Sequence, residues 1–272
     1  MAKISAQPPE PPRKPDGGAP ETEVLAWLRY EYGQPFSGWD FSYLQGRRLV
    51  LEARKPWSYD NIARGRALDA RSILDVDTGG GEVYAEIIGD VGGHHSWRAC
   101  EAHLPNLTVA RNRLLPLGVE TVAGHGKALP FRNQSFDLVL NRHGYLAAPE
   151  VARVLRPSGG LVTQQVAAGT NRELHEALGA PGGKRYAQLD RVRAALEQVG
   201  LQVEQAKAHS HLTEFHDAGA VAYYLKAIPW EVPEFSVDRY AEPLVYLHQR
   251  LSQGHPLVVR FNSIFVVARN PA

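Results

Sequence analysis

The chain of 272 residues carries 30 basic and 29 acidic side chains, a formal net charge of +1, with 44% hydrophobic and 22% charged residues. That balance is ordinary for a globular chain and excludes a disordered or collagen-like polymer. It also disfavours nucleic-acid binding driven by bulk positive charge.

The Pro-rich stretch over residues 1–21 cannot bury enough surface to offset its ordering entropy and reads as a disordered tail. In ETEVLAWLRYEYG, Val24, Leu25, Leu28 and Tyr32 recur at helical spacing up to Gly33, and a second helix is expected from about Tyr59. Residues 22–70 are therefore a helical cover. From Ser72 the period changes. SILDV is a short apolar run of the kind buried on both faces of a parallel sheet, followed by a glycine turn and the helical GEVYAEIIGD. Strand SWRACEA, helix NLTVARNRLLPLG, strands VETVAG and SFDLVLNR, helix PEVARVLRPSG, strand GLVTQQV, helix RYAQLDRVRAALEQVG and strand LQVEQAKA extend the alternation. Repeated strand-helix units imply a Rossmann-like, doubly wound α/β core over residues 71–210. Residues 211–255 read as a helical lid insertion, and residues 256–272 as the last strand of the core.

No apolar run approaches the roughly 18 residues that span a bilayer, and the first residues lack the apolar core of a signal peptide. No membrane association is expected. The one cysteine, Cys100, excludes an internal disulfide and a cysteine-built zinc site and fits a reducing, cytoplasmic compartment. His209 and His211 share a strand face near Glu214, His216 and Asp217, but spacing alone defines no ligand geometry and no metal site is assigned.

In open α/β sheets, ligands bind beyond the carboxyl ends of the strands, where a glycine turn admits close backbone approach. Asp75-Val76-Asp77-Thr78-Gly79-Gly80-Gly81 stands there. A dinucleotide fingerprint counted from Gly79 would need glycine at Tyr84, so NAD is the weaker candidate. Glu101 follows twenty residues after Gly81, where a carboxylate can accept from both ribose hydroxyls.

The run ILDVDTGGGEV, Glu101, GHGKALPFRNQSFDLVLNRH and EVARVLRPSGGLV, over roughly residues 70–165, resembles the successive motifs of class I S-adenosylmethionine-dependent methyltransferases, in the quinone-biosynthesis-type branch. The resemblance implies a seven-stranded sheet of order 3-2-1-4-5-7-6 with an antiparallel last strand, S-adenosyl-L-methionine as cofactor and methyl transfer to a small-molecule substrate. It places the methionine end of the cofactor at Asp75, Asp77, Thr78, Gly79 and Gly81, the ribose at Glu101, and the adenine near His125 and Gly126, with Asn141 at the end of the fourth strand. The family usually has glycine at the position of Asp77 and aspartate at that of His125. These departures motivate two alternatives to weigh: a methyltransferase fold with lost or altered cofactor use and, more remotely, an RNA methyltransferase. In the loop after strand four, His143 is the candidate base and Tyr145 a candidate wall. The aromatics Trp39, Tyr43, Tyr223 and Tyr224 are candidates for a substrate lid, although such residues are more often core.

Overall fold

The computed structural model describes residues 11–36, 40–51, 54–182 and 186–271. In chain order its elements are α1 (Glu21–Gly33), β1 (Arg48–Leu51), α2 (Tyr59–Leu68), β2 (Ser72–Val76), α3 (Glu82–Val91), β3 (Ser96–Glu101), α4 (Leu104–Leu114) and β4 (Glu120–Ala123). There follow β5 (Phe136–Arg142), α5 (Ala148–Val154), β6 (Leu155–Val166), α6 (Arg172–Leu178), α7 (Leu189–Gln198), β7 (Gln202–Phe215), α8 (Ala218–Ala227), α9 (Ala241–Ser252) and β8 (Leu257–Arg269).

The sheet has eight strands in the order β1-β7-β8-β6-β5-β2-β3-β4. β2 through β6 run parallel, and β8 is antiparallel to both β6 and β7. Leaving β1 aside, the order is the expected 3-2-1-4-5-7-6 with an antiparallel last strand. The eighth strand corrects the expectation of seven. β1 is a four-residue edge strand inside a turn-rich segment, and it pairs with Leu212–Phe215, the part of β7 that the sequence reading assigns to the insertion. β7 runs on to Phe215 because each of those residues also pairs with β8. The helical insertion between β7 and β8 thus begins at α8.

A second correction concerns PEVARVLRPSG, which is helical only to Val154. Pro157 disfavours helical geometry at Arg156, Ser158 takes φ 66°, and the segment from Leu155 joins β6 across a register shift against β5.

Three apolar clusters organise the molecule. Ile73, Leu138, Leu140, Val162, Phe265 and Val267 pack under α2 and α3 on one face of the sheet, while Leu74, Val139, Leu161, Val266 and Ala268 pack under α5 and α7 on the other. The third cluster joins α1, α8 and α9 at the start of β8. α8, AGAVAYYLKA, is buried almost throughout because its small residues admit close neighbours; a Cβ on Gly219 would meet Trp27, Glu31 and Arg47. The carboxylate of Asp217 caps α8 by accepting from the Ala220 amide (2.7 Å). Within residues 11–20, Asp16 lies against α9, its carbonyl 3.2 Å from His248 Nε2. No helix among the described residues is long and apolar enough to cross a membrane.

Candidate cofactor and acceptor site

The carboxyl ends of β2, β3 and β5 bring the sequence-predicted site together. Asp77, Gly79 and Gly81 adopt positive φ (55°, 64° and 77°), so the turn after β2 doubles back sharply before Gly81 caps the ten-residue α3. Glycine tolerates this region without strain, and aspartate is among the few other residues that enter it readily. Glu101 is buried at the end of β3, where one carboxylate oxygen accepts from the Gly79 amide (2.7 Å) and the other from the His103 amide (2.8 Å). Thr78 N–H donates to the Cys100 carbonyl (3.1 Å), tying the same turn to β3. Burial raises the Glu101 carboxyl, while the two amide bonds pull the other way.

Asp75 lies beneath the turn. Its burial, reinforced by the negative charges of Asp77 and Glu101 and opposed by the nearby Thr78 hydroxyl and Arg142, pushes its carboxyl up to about 7. A raised acid stabilises the fold most below its ordinary value of 3.8, and that contribution is lost as pH rises from there through about 7. Asp75→Asn is therefore expected to raise stability by up to about 4 kcal/mol at pH 8 and by only about 1 kcal/mol at pH 4.5, as read by urea unfolding. An equal effect at both pH values would contradict the assignment.

The loop after β5 closes on the turn. Asp77 Oδ2 accepts from the Tyr145 amide (2.6 Å), and Gly144 packs against the Asp77 side chain so closely that a Cβ there would sit 2.5 Å from Asp77 Cβ. Gly126 abuts the Tyr145 carbonyl, and the His125 and Tyr145 rings are 5.3 Å apart, with Lys127 over the Tyr145 ring. Asn141 Nδ2 donates to the Val76 carbonyl (3.1 Å), and its Oδ1 accepts from Thr163 Oγ1 (3.1 Å) and Gln165 Nε2 (2.5 Å), a buried polar set that locks β5 to β2 and β6.

His143 also has positive φ, 63°. Trp57 Nε1 donates to Gln164 Oε1 (2.8 Å), which turns the Gln164 amide nitrogen toward His143 Nε2 (3.1 Å). On that network His143 Nε2 is an acceptor and the neutral ring carries its proton on Nδ1. Sequence reasoning missed Trp57, Gln164, Thr163 and Gln165. The available signal was the polar triplet Thr163-Gln164-Gln165 in the buried second half of β6, beside apolar Leu161, Val162 and Val166.

The candidate lid residues divide. Trp39 lies outside the described residues. The Tyr43 and Tyr223 rings lie tilted against each other at 4.6 Å, but around the α1 network: Tyr43 Oη donates to Glu31 Oε2 (2.9 Å) and Tyr223 Oη to the Pro35 carbonyl (3.1 Å). Tyr224 packs on Phe41 and Phe215 under the Arg48 guanidinium, whereas Tyr145 is half-exposed at the turn. The histidines raised as metal candidates point to no metal centre: among the described residues no three His, Cys, Asp or Glu side chains are grouped to hold an ion. Asp217 instead pairs with Arg47 (2.6 Å). A cavity of about 440 Å3 opens between β7, β8 and the start of α7, its wall including Ala167, Leu189, His209, Asn262 and Ile264.

This sheet order and the glycine turn at its centre define a Rossmann-like methyltransferase fold. Residues 73–159 match the family profile described as a methyltransferase domain, a stretch under half of the chain. No curated protein matches the sequence. Solved structures of similar fold include a Bacillus halodurans protein provisionally assigned as a methyltransferase (20% identity, 79% of this chain and 99% of that one, TM-score 0.53). They also include the YcgJ protein of Bacillus subtilis (18%, 78% and 99%, TM-score 0.52) and the 4+2 cyclase SpnF (16%, 82% and 87%, TM-score 0.53). At these identities the likeness establishes the fold, and the cyclase among them shows that fold alone does not select the chemistry.

Proposed function

We propose that the protein is an S-adenosyl-L-methionine-dependent methyltransferase acting on a small molecule. The observation that carries this reading is Glu101, held at the end of β3 with its carboxylate on the Gly79 amide of a positive-φ glycine turn. The donor set fits the cofactor. Each Glu101 oxygen accepts one amide and keeps a lone pair for a ribose hydroxyl. Gly79 and Gly81 offer backbone for the methionine end, with the Asp75 carboxyl below it. His125 and Gly126 flank the adenine side, where His125 Nδ1 accepts from the Lys127 amide (3.0 Å) and the neutral ring therefore presents its Nε2–H as a donor, suited to an adenine ring nitrogen.

When bound, the cofactor supplies an electrophilic methyl group. The chain's own part is to hold and orient the acceptor at the carboxyl edge and to keep water out. His143 is the candidate base there. Its Nε2 lone pair is engaged by Gln164, so it takes a proton after exchanging that bond for one to the acceptor. The near-zero net charge supports a small acceptor over nucleic acid. Binding of S-adenosylhomocysteine by calorimetry tests the reading; absence of binding would remove it.

The Asp77–Tyr145 bond favours a second reading, in which cofactor use is weakened or altered. Asp77→Gly removes the side chain from the mouth of the turn and suits φ 55° better. It is expected to tighten S-adenosylhomocysteine binding about fivefold to tenfold, a gain of roughly 1 kcal/mol or slightly more. Appearance of binding only in this variant would favour the second reading; unchanged or weaker binding would show that Asp77 helps to hold the ligand.

A further inference from the structure

On the face of the sheet that carries α2, the paired residues of β7 and β8 run Phe215 with Leu257, Thr213 with Val259, His211 with Phe261, His209 with Ser263 and Lys207 with Phe265. Alternate residues of a strand share a face. Leu257, Val259 and Phe215 belong to the apolar cluster of the insertion, and Phe265 to the cluster under α2. Between these cores the apolar pattern is interrupted by His211, His209 and Ser263. His209 Nε2, His211 Nδ1 and Ser263 Oγ are all buried, and none has a hydrogen-bond partner among the described residues. Buried polar atoms are nearly always paired, so three adjacent exceptions on one face call for a ligand or water.

Beside the exposed Lys207 at its edge, two half-buried cations border this band. Lys55 lies two residues before Trp57, whose ring stands edge-on to His209 at 6.1 Å. Arg48 opens β1 and lies over the rings of Phe41 and Tyr224. Both are half-buried, and neither forms an ion pair among the described residues. The local field is positive enough to be felt by its neighbours: burial, then Lys55, His209 and Arg48, hold the His211 imidazole down at about 4. Burial and Arg142 lower the Lys55 ammonium as well, against the opposing charge of Asp60.

We propose that this band binds the anionic group of a small molecule, a carboxylate or a phosphate, and that the acceptor carries it. Ser263 Oγ and the two imidazoles donate to its oxygens, and Lys55 and Arg48 balance its charge. Trp57 connects the band through Gln164 to His143, so a molecule anchored here extends toward the carboxyl edge where the glycine turn lies. The anion site stands on its own geometry; its assignment to the acceptor rests on the methyltransferase reading.

The test follows the His209 and His211 imidazole nitrogens by NMR during titration with inorganic phosphate and, separately, with succinate, at ionic strength held constant with chloride. Saturable shifts at both histidines are expected, with the His211 midpoint rising by at least one pH unit because an anion favours the imidazolium. Lys55→Gln should weaken the binding at least tenfold while the protein remains cooperatively folded. A preference for phosphate or for succinate tells which anionic group the site takes. Shifts that fail to saturate, that chloride reproduces, or that Lys55→Gln leaves intact would overturn the proposal. S-adenosylhomocysteine binding in the same samples separates the two claims. Anion binding without it keeps the site and removes its assignment to a methyl acceptor, whereas nucleoside binding without anion binding removes this proposal alone.

Discussion

Replacing Glu101 with alanine is expected to weaken S-adenosylhomocysteine binding at least about 100-fold, equivalent to roughly 2.7 kcal/mol. The carboxylate does two things at once. It orders the glycine turn through the Gly79 and His103 amides, and it presents its remaining lone pairs at the end of β3. Hydrogen bonds to charged groups contribute about 1.5–3 kcal/mol each, so loss of the one or two bonds expected from the ribose hydroxyls accounts for the effect. Glu101→Gln keeps the shape, but its amide nitrogen would face a backbone N–H, and a loss of at least about tenfold is expected, since each 1.4 kcal/mol is a factor of ten. Calorimetry on the three proteins checks this. An alanine variant within threefold of the parent would show that Glu101 holds the turn and nothing more.

The largest effect on stability is expected at Arg47. Its guanidinium bridges Glu31 (2.8 Å) and Asp217 (2.6 Å), carboxylates that are themselves nearly buried, and so joins α1 to the cap of α8. Arg47→Ala leaves two buried carboxylates unneutralised and should cost about 3–5 kcal/mol. At roughly 2–4 °C per kcal/mol for a chain of this size, the thermal midpoint should fall by about 10 °C. Burial alone would raise the Asp217 carboxyl, but the Arg47 bonds outweigh it and hold the group below its ordinary 3.8. A lowered acid stabilises the fold above its ordinary value, and the contribution is lost as pH falls through the folded one. The parent's advantage over Arg47→Ala should therefore be full at neutral pH and shrink below about pH 4. A difference independent of pH would assign the effect to lost packing of the arginine stem instead.

What could be read from the sequence was local. β2, SILDV, is buried at every position and stands where its apolar run placed it, and α1 ends at Gly33 as its spacing predicts. Glu101 and the glycine turn were legible because one short stretch, β2-α3-β3, builds both. The edge strand β1 was not, since four residues carry little periodicity and its pairing depends on Leu212–Phe215, more than 160 residues away. The same holds for the network around His143: Trp57, Gln164 and His143 meet only when α2 lies over the sheet. Tyr43 and Tyr223 illustrate the opposite difficulty. Aromatic composition marked them for a lid, whereas their contacts are with Glu31, Pro35 and each other within the packing of α1 and α8.

In the proposed function, the turn between β2 and α3, with Glu101 beside it, holds S-adenosyl-L-methionine. Calorimetric titration of the unmodified protein with S-adenosylhomocysteine tests it most directly. One saturable site per chain, with a thermal midpoint that rises with ligand concentration, is the predicted result. No heat of binding and no change in midpoint at millimolar ligand would contradict it.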